Sequence, residues 1–241
     1  QHLNASHASS LVSIFTRATR MPVVEGADGM PIQTDHLYII PPNADLTVLD
    51  GHIKIDTRPV KPYAHMPVNK FFQSLADNHK VPAIGIILSG AATDGISGLK
   101  ALKVAGGLTF AQGDSAEFQS MPQGAIADGA VDLVLSPKEI AEELIRISNQ
   151  KESFYGATQE LNEDSFNNHD QHLIAILQLL HKSVGVDFRY YKMNTIRRRI
   201  IRRMMLHKLE RIENYSLYLR QNAAEVNLLY QDLLINVTTF F

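Results

Sequence analysis

The sequence predicts an α/β domain followed by a small all-α helical domain. The stretch "VPAIGIILSG" is an unalternated apolar strand of the kind that is buried on both faces of a parallel sheet. Strand and helix patterns alternate up to residue 147, and from His169 onward every pattern is helical. We therefore expect a doubly wound, mostly parallel sheet in the first domain and a helical module after it.

The first third of the chain contains one predicted helix and three short strands. Apolar residues recur at helical spacing from Ser9 to Thr19, and Ser6 suits the N-cap position. Leu37 to Ile40 is a short apolar strand that two prolines end. The segment "LTVLDGHIKI" alternates about Asp50-Gly51, which predicts a β-hairpin.

Helices and buried strands then alternate, as they do in βαβ units. Glycines at 106 and 107 supply a helix stop, and Pro137 suits the first turn of the last helix, where Ser136 and Glu139 fit a capping box. The predicted elements are a helix over 68–78, a strand within 81–90, a helix after Asp94, strands over 108–111 and 130–135, and a helix ending near Ile147.

The chain changes character near residue 150. Gln150 to Gln171 carries five acidic residues and one lysine, whereas Arg189 to Arg211 carries nine Lys or Arg and one acid. These shifts predict an α/β domain over 1–147, a polar linker over 148–168 and a helical domain over 169–241.

Composition excludes several classes of protein. The chain has 241 residues, no cysteine and a net charge of −2. Disulfides and thiolate metal sites are therefore ruled out, and binding of nucleic acid by the whole protein is disfavoured. No apolar run approaches the roughly 18 residues that span a bilayer. No HxxxH pair of histidines occurs, so we expect no metal site.

Asp94, in "LSGAATDGISGL", is the main candidate for a functional carboxylate. It follows a buried strand and precedes a helix, which is where open α/β sheets bind ligands. Thr93 or Asp94 could instead cap that helix, which is the simpler interpretation. A phosphate loop is disfavoured because "GAATDG" lacks the Walker lysine and the GxGxxG spacing. A catalytic role would need a histidine for Asp94 to orient, beside a nucleophile.

A resemblance adds to this interpretation. "LSGAATDGISGL", "AQGDSAEFQSMPQGAIADGAVD" and the opening "QHL" resemble the catalytic domain of the chemotaxis protein-glutamate methylesterases, the CheB family. The resemblance implies hydrolysis of methyl-glutamate esters on chemoreceptors by a Ser-His-Asp triad. By motif, His2 would be the general base and Asp94 would orient it, and the esterase would need no cofactor.

The sequence departs from the family pattern in two places, the nucleophilic serine and position 91. The family serine precedes the QH pair and has no counterpart among these 241 residues, so we expect no esterase turnover from them alone. "GISG" is not GxSxG, and Ser97 is interpreted as a polar surface residue. Ala91 occupies the position of a family methionine, and His7 is interpreted as a solvated or capping histidine.

A basic amphipathic helix is predicted in "NTIRRRIIRRMMLHKL". Its charged side is either a solvated face or a binding surface for nucleic acid, anionic lipid or an acidic partner. No interleaved aromatic residues suggest base stacking. The charged side contains Arg198, Arg199, Arg202 and Arg203, and the apolar side contains Ile196, Ile200, Met204 and Leu209.

The helical domain resembles the N-terminal domain of the chemoreceptor glutamate methyltransferases, the CheR family, through "GVDFRYYKMNTIRRRIIRRMM" and "LLINVTTFF". The resemblance implies that Asn236 and Thr238 contribute to the binding of S-adenosylmethionine. The rest of that binding pocket would belong to a cofactor domain that the 241 residues do not include. The resemblance also implies contacts to acidic receptor segments by Arg197, Arg198, Arg199, Arg202 and Arg203.

Together the two resemblances predict part of a cytoplasmic bacterial chemotaxis fusion protein. Its two activities would remove and add methyl groups on receptor glutamates. The expected partners are methyl-accepting chemoreceptors and a response-regulator receiver domain, without nucleic acid or membrane insertion. The competing interpretations are a non-catalytic signalling scaffold whose basic helix binds acidic partners, and a nucleic-acid-binding protein.

Overall fold

The structure, a computed structural model, describes residues 10–57, 65–78, 83–149 and 171–234. The chain divides into two compact units, with the boundary between Ser136 and Pro137. We call them the α/β unit and the helical unit. This arrangement agrees with the α/β and all-α order that the sequence predicts.

The α/β unit contains seven strands and four helices in its described residues. In chain order they are α1 (Leu11–Ala18), β1 (Val23–Glu25), β2 (Leu37–Ile39), β3 (Ala44–Leu49), β4 (His52–Thr57), α2 (Pro67–Asn78), β5 (Ile84–Ile87), α3 (Ile96–Val104), β6 (Leu108–Gln112), α4 (Ser120–Ala127) and β7 (Leu133–Leu135).

Parallel pairing dominates this unit. β5, β6 and β7 form a three-stranded parallel sheet in that order, with Ile84 opposite Leu108 and Phe110 opposite Leu133. β1 and β2 form a separate parallel pair. Every residue of β6 is buried, as expected for a central strand of a parallel sheet. The parallel sheet predicted from the apolar strand is confirmed.

β3 and β4 form the predicted hairpin. Leu49 pairs with His52, which leaves Asp50 and Gly51 as a two-residue loop. Their φ angles are 48° and 76°, the left-handed values that a type I′ turn requires at both central positions. Asn, Asp and Gly accept such angles most readily, which explains why the Asp-Gly pair specifies this turn.

The core of the α/β unit lies between the helices and the parallel sheet. α2 packs against α3 and β3, and α3 packs against β5, β6 and α4. Removing these apolar side chains from water contributes about 25 cal/mol per Å² of buried area. The buried apolar residues of this core are Phe72, Ile87, Leu99, Ala125 and Ala130.

Three local features differ from the sequence-based expectations. α4 was not predicted, because Pro122 and Gly124 weaken its helical pattern; the structure places Pro122 in the first turn, where proline is tolerated. β1 was not predicted either. β7, at Leu133–Leu135, is shorter than the predicted strand over 130–135. Ser6, the predicted cap of the first helix, lies outside the described residues.

The helical unit contains five helices among its described residues, and the helical pattern predicted from His169 onward is confirmed. No described helix of either unit is long and apolar enough to cross a membrane. The helices are α5 (Pro137–Asn149), α6 (Gln171–Val184), α7 (Met193–Leu206), α8 (Ile212–Gln221) and α9 (Ala223–Leu234), with a 3-10 turn at Phe188–Tyr190.

The four helices α6, α7, α8 and α9 share one apolar core. α6 packs against α8 and α9, and α7 packs against α9. Residues that recur at helical spacing supply the buried side, as the amphipathic pattern predicts. The fully enclosed members of this core are Ile176, Phe188, Ile196, Tyr215 and Leu229.

α5 groups with the helical unit, although the alternation of strands and helices predicts it in the first domain. Its Arg146 donates a hydrogen bond from Nη2 to the carbonyl oxygen of Met205, 2.9 Å away on α7. The predicted linker over 148–168 lies outside the described residues except for Ser148 and Asn149, which end α5. The domain boundary at residue 147 stays a prediction.

Candidate functional site

Asp94 lies in the loop that joins the carboxyl end of β5 to the start of α3. It is 1% exposed, although the residues just before it in the loop, Ala91 to Thr93, are exposed. Burial of a carboxylate costs free energy unless hydrogen bonds satisfy it. A buried carboxylate at the carboxyl end of a parallel strand therefore requires donors, and they come from another helix.

The carboxylate of Asp94 caps the N-terminus of α2. Oδ2 accepts a hydrogen bond from the backbone N–H of Val68, and Oδ1 accepts one from Asn69, each at 2.9 Å. These donors are the second and third residues of α2, whose first-turn N–H groups have no partner within the helix. The positive end of the helix also favours the negative carboxylate.

The expectation that Thr93 or Asp94 caps α3 is wrong. The N-cap of α3 is Gly95, which has no side chain to accept a hydrogen bond. Instead, Oδ1 of Asn69 accepts from the backbone N–H groups of Gly95 at 3.0 Å and Gly98 at 2.8 Å. α2 and α3 therefore exchange caps. Asn69 has no local sequence signal for this role, because its partners lie 26 and 29 residues further along the chain.

The loop before Asp94 is braced from one side. The N–H of Ser89 donates to Oε1 of Gln112 at 2.9 Å, and Oγ of Ser89 accepts from the N–H of Phe118 at 2.9 Å. Gly90 and Phe118 share a backbone hydrogen bond of 2.9 Å. Ala92 has φ 74°, a left-handed value that is uncommon for a residue with a β-carbon. The segment that carries Asp94 is thus held in a defined conformation.

A second cluster of charged residues lies at the start of α2. Nε2 of His65 is 2.5 Å from Oδ1 of Asp45, which is buried on β3. Nζ of Lys70 is 3.4 Å from Oδ2 of the same aspartate and 2.8 Å from Oδ2 of Asp56. The hydrogen bond from Lys70 lowers the pKa of Asp56, and that bond raises the pKa of Lys70. No sequence motif pointed to this cluster.

The other residues considered for the esterase site are His2, His7 and Ser97. His2 and His7 lie outside the described residues. Ser97 is exposed in the first turn of α3, in agreement with its interpretation as a surface residue. In the part of the chain that the structure describes, no group of three or more His, Cys, Asp or Glu side chains could hold a metal ion.

The arginines of α7 do not form one solvated face. Arg199, Arg202 and Arg203 are buried, with exposures of 2%, 1% and 8%. Arg197 is half-buried, and Arg198 is exposed. The expectation that all five are presented to a receptor is therefore wrong for the three buried residues.

Two of the buried arginines pair with acids of α9. Nη1 of Arg202 is 2.6 Å from Oδ2 of Asp232. Arg203 binds both carboxylate oxygens of Glu225, with Nε 2.8 Å from Oε1. Such fork-like pairing suits the planar guanidinium and satisfies several buried donors at once.

Glu225 is the centre of this network. It also accepts a hydrogen bond from the hydroxyl of Tyr215 at 2.8 Å and lies 2.7 Å from Nε2 of His207. Burial by itself would raise the pKa of Glu225, but the hydrogen bonds and charge of Arg203 hold it below its ordinary value. Burial raises the pKa of Tyr215, and the charge of Glu225 adds to that effect. The network satisfies these buried charges and leaves Arg202 and Arg203 unavailable to a partner.

Asn236 and Thr238, which the resemblance assigned to S-adenosylmethionine, lie outside the described residues. The methyl donor therefore stays a proposal for the longer protein.

The fold and the buried carboxylate define the first unit as an open α/β protein with a candidate site at the carboxyl ends of its strands. The sequence profile described as CheB methylesterase matches residues 1–144, more than half of the chain. The profile described as CheR methyltransferase, all-alpha domain, matches residues 171–234. The chain belongs to the CheB methylesterase family, and it carries the CheR N-terminal all-alpha domain after the methylesterase domain.

Three similar proteins illustrate these relationships. A putative protein-glutamate methylesterase/protein-glutamine glutaminase of Leptospira interrogans is 30% identical over 61% of the chain and 77% of the relative. An uncharacterized 104.1 kDa protein of Rhodobacter capsulatus is 30% identical over 96% of the chain. The crystal structure of the Thermotoga maritima CheB methylesterase catalytic domain superposes with a TM-score of 0.55 and 27% identity, over 61% of this chain and 80% of that one.

The chain spans only part of several of these proteins. It covers 26% of the Rhodobacter protein and 43% of a Xanthomonas campestris protein-glutamate methylesterase/protein-glutamine glutaminase that is 34% identical. The matched region in the Rhodobacter protein includes both units, since it extends over nearly the whole chain.

Proposed function

We propose that the α/β unit contributes His2 and Asp94 to a Ser-His-Asp triad that hydrolyses glutamate methyl esters on chemoreceptors. The serine has no counterpart among the 241 residues, so the activity is assigned to a longer protein that contains them. These residues alone are expected to have no turnover.

The observation that supports this proposal is the environment of Asp94. Each carboxylate oxygen already accepts one backbone N–H from α2, which fixes the plane of the group. A fixed carboxylate can hold a histidine in one tautomer and stabilise the imidazolium that forms when the histidine takes a proton. Burial strengthens this interaction because water does not compete for the carboxylate.

The chemistry would proceed in two steps. The serine hydroxyl attacks the ester carbonyl while His2 accepts its proton, and the imidazolium then protonates the departing methoxide to give methanol. Water hydrolyses the acyl-enzyme by the same route and regenerates the serine and a free glutamate. Asp94 takes part in both steps without becoming protonated.

The test uses a longer protein in which the glycine-rich segment with the family serine precedes the 241 residues. The measurement is methanol release from a methylated receptor. Asp94→Asn should lower kcat by about 10²- to 10⁴-fold, because an amide no longer stabilises the correct histidine tautomer. Asp128→Asn is the matched control: Asp128 is exposed and pairs only at the surface with Lys100.

Two results would overturn the proposal. One is an Asp94→Asn protein that is folded, by circular dichroism, and hydrolyses the ester at the original rate. The other is methanol release by the 241 residues alone that Ser97→Ala abolishes, since that would make Ser97 the nucleophile.

For the second half of the chain we propose a part in methylation of the same receptor glutamates. S-adenosylmethionine would supply the methyl group when bound to the complete methyltransferase, and Asn236 and Thr238 are the residues of this chain assigned to it. Receptor contacts are assigned to Arg198 and Arg197, since the three buried arginines serve the fold. A cytoplasmic location and control by a receiver domain complete the proposal.

A further inference from the structure

We propose that Asn69 is a positioning residue for Asp94. The inference concerns how the carboxylate is held and depends on the proposed function only for its catalytic meaning. The exchange of caps between α2 and α3 supports this role.

Asn69 contacts the Asp94 segment through both its backbone and its side chain. Its N–H donates to Oδ1 of Asp94, while its own Oδ1 accepts from the N–H of Gly95, the residue after Asp94. One residue therefore binds the carboxylate on one side and the following peptide on the other. A rotation of the Asp94 backbone would have to break one of these bonds.

Gly95 makes this second contact necessary. It has φ 99°, in the left-handed region, and lacks a side chain that could fix its conformation. It is also the N-cap of α3, where a Ser, Thr, Asp or Asn side chain normally accepts from the first turn. Asn69 supplies that acceptor from another helix and reaches Gly98 with the same oxygen.

The two helices approach closely at this point. A β-carbon added to Gly98 would lie 2.6 Å from the carbonyl oxygen of Asn69 and 2.8 Å from its α-carbon. Because no side chain separates the helices here, the backbone of Asn69 cannot be displaced towards α3. The short side-chain amide of Asn69 can therefore reach from the first turn of α2 to the N-terminus of α3.

A purely structural cap and a positioning residue predict different outcomes. If Asn69 only stabilises α3, its removal lowers the stability of the α/β unit and leaves the Asp94 carboxylate in place. If Asn69 positions Asp94, its removal also weakens the hydrogen bond from Val68 to Oδ2, a bond in which Asn69 does not take part.

The experiment measures that bond in the 241-residue chain by nuclear magnetic resonance. The reporters are the amide proton shift of Val68 and the through-hydrogen-bond coupling between its nitrogen and the carboxyl carbon of Asp94. Asn69→Ala should abolish the coupling and move the Val68 proton upfield. Asn69→Asp keeps an acceptor of the same shape and should restore both signals.

Asn78→Ala is the matched control. Asn78 lies at the other end of α2, and its side chain donates to the carbonyl of Ser74 at 3.1 Å. This variant should keep the Val68 signals of the parent chain. If Asn69→Ala does not fold, Asn69→Ser provides a shorter acceptor and should show a weakened coupling.

The inference is overturned if Asn69→Ala, or Asn69→Ser when the alanine variant does not fold, retains the parent coupling. It is equally overturned if Asn69→Asp folds and fails to restore the coupling. Neither readout involves ester hydrolysis. The proposed function fails separately if Asp94→Asn retains full activity in the serine-containing protein.

Discussion

Arg202 and Asp232 form a buried ion pair between α7 and α9, with Nη1 2.6 Å from Oδ2 and side-chain exposures of 1% and 8%. Arg203 makes a parallel connection to Glu225 between the same helices. The basic helix thus directs part of its charge into the helical unit. Isolated buried charges are costly, so these pairs make stability depend on both partners.

Replacing Arg203 should strongly destabilise the helical unit. Arg203→Met removes the guanidinium and leaves Glu225 buried without its main partner, which should cost about 3–5 kcal/mol. Urea unfolding followed by far-ultraviolet circular dichroism measures this loss. Arg198→Met is the control: Arg198 is exposed on the same helix, and its loss should change the free energy of unfolding by less than about 0.5 kcal/mol. Equal effects at the two positions would contradict the buried network.

Acid should destabilise the helical unit through Glu225. Its folded pKa lies below the ordinary value of 4.5, so the unfolded chain binds the proton more tightly. The stabilisation is fully present above pH 4.5 and is lost as pH falls through the lower, folded pKa. Urea midpoints measured from neutral pH down to about pH 3 should show this fall.

Glu225→Gln identifies the group responsible for that fall. The amide cannot titrate, so the variant should be less stable at neutral pH and lose less of its stability on acidification. A pH profile that is parallel to that of the unchanged chain would assign the effect to other carboxylates.

Asp94 should stabilise the α/β unit independently of catalysis. Asp94→Ala leaves the first-turn N–H groups of Val68 and Asn69 without their acceptor, which should cost about 1–3 kcal/mol. Thermal unfolding and hydrogen exchange at those two amides are the measurements. Asp128→Ala removes only a surface ion pair with Lys100 and should have little effect. Unchanged exchange at Val68 in Asp94→Ala would show that the cap contributes nothing.

Ala92 should be a site where glycine stabilises the protein. Its φ of 74° strains a residue with a β-carbon by about 1 kcal/mol, which glycine relieves at the cost of a more flexible unfolded chain. We expect Ala92→Gly to raise the melting temperature slightly. Ala101→Gly, the same change inside α3, should lower it, since glycine costs about 1 kcal/mol in a helix. The prediction is wrong if both variants lose stability equally.

The sequence predicted those elements whose signals are local. The Asp50-Gly51 pair defines its hairpin because the turn angles depend on those two residues alone. α3 ends at Val104, two residues before Gly106, as a glycine stop predicts. Gly106 has φ 100°, and its N–H donates to the carbonyl oxygen of Lys103.

Contacts between distant residues could not be predicted in the same way. Asp94 caps a helix that begins 27 residues before it, and no spacing rule connects the two. The acids that pair with Arg202 and Arg203 lie 30 and 22 residues further along, on α9. A periodicity argument assigns charged residues to solvent because it contains no information about a partner helix. The cap on α2 and the burial of the arginines both required the tertiary structure.

The inward-facing arginines of α7 also limit how far the helical unit can attract a charged partner. Arg202 and Arg203 are neutralised within a few ångströms by Asp232 and Glu225, so they add little to the field beyond a Debye length of about 8 Å. Electrostatic steering of an acidic partner would depend mainly on the exposed Arg198 and its surface neighbours. The association rate should therefore vary with ionic strength far less than five aligned arginines suggest.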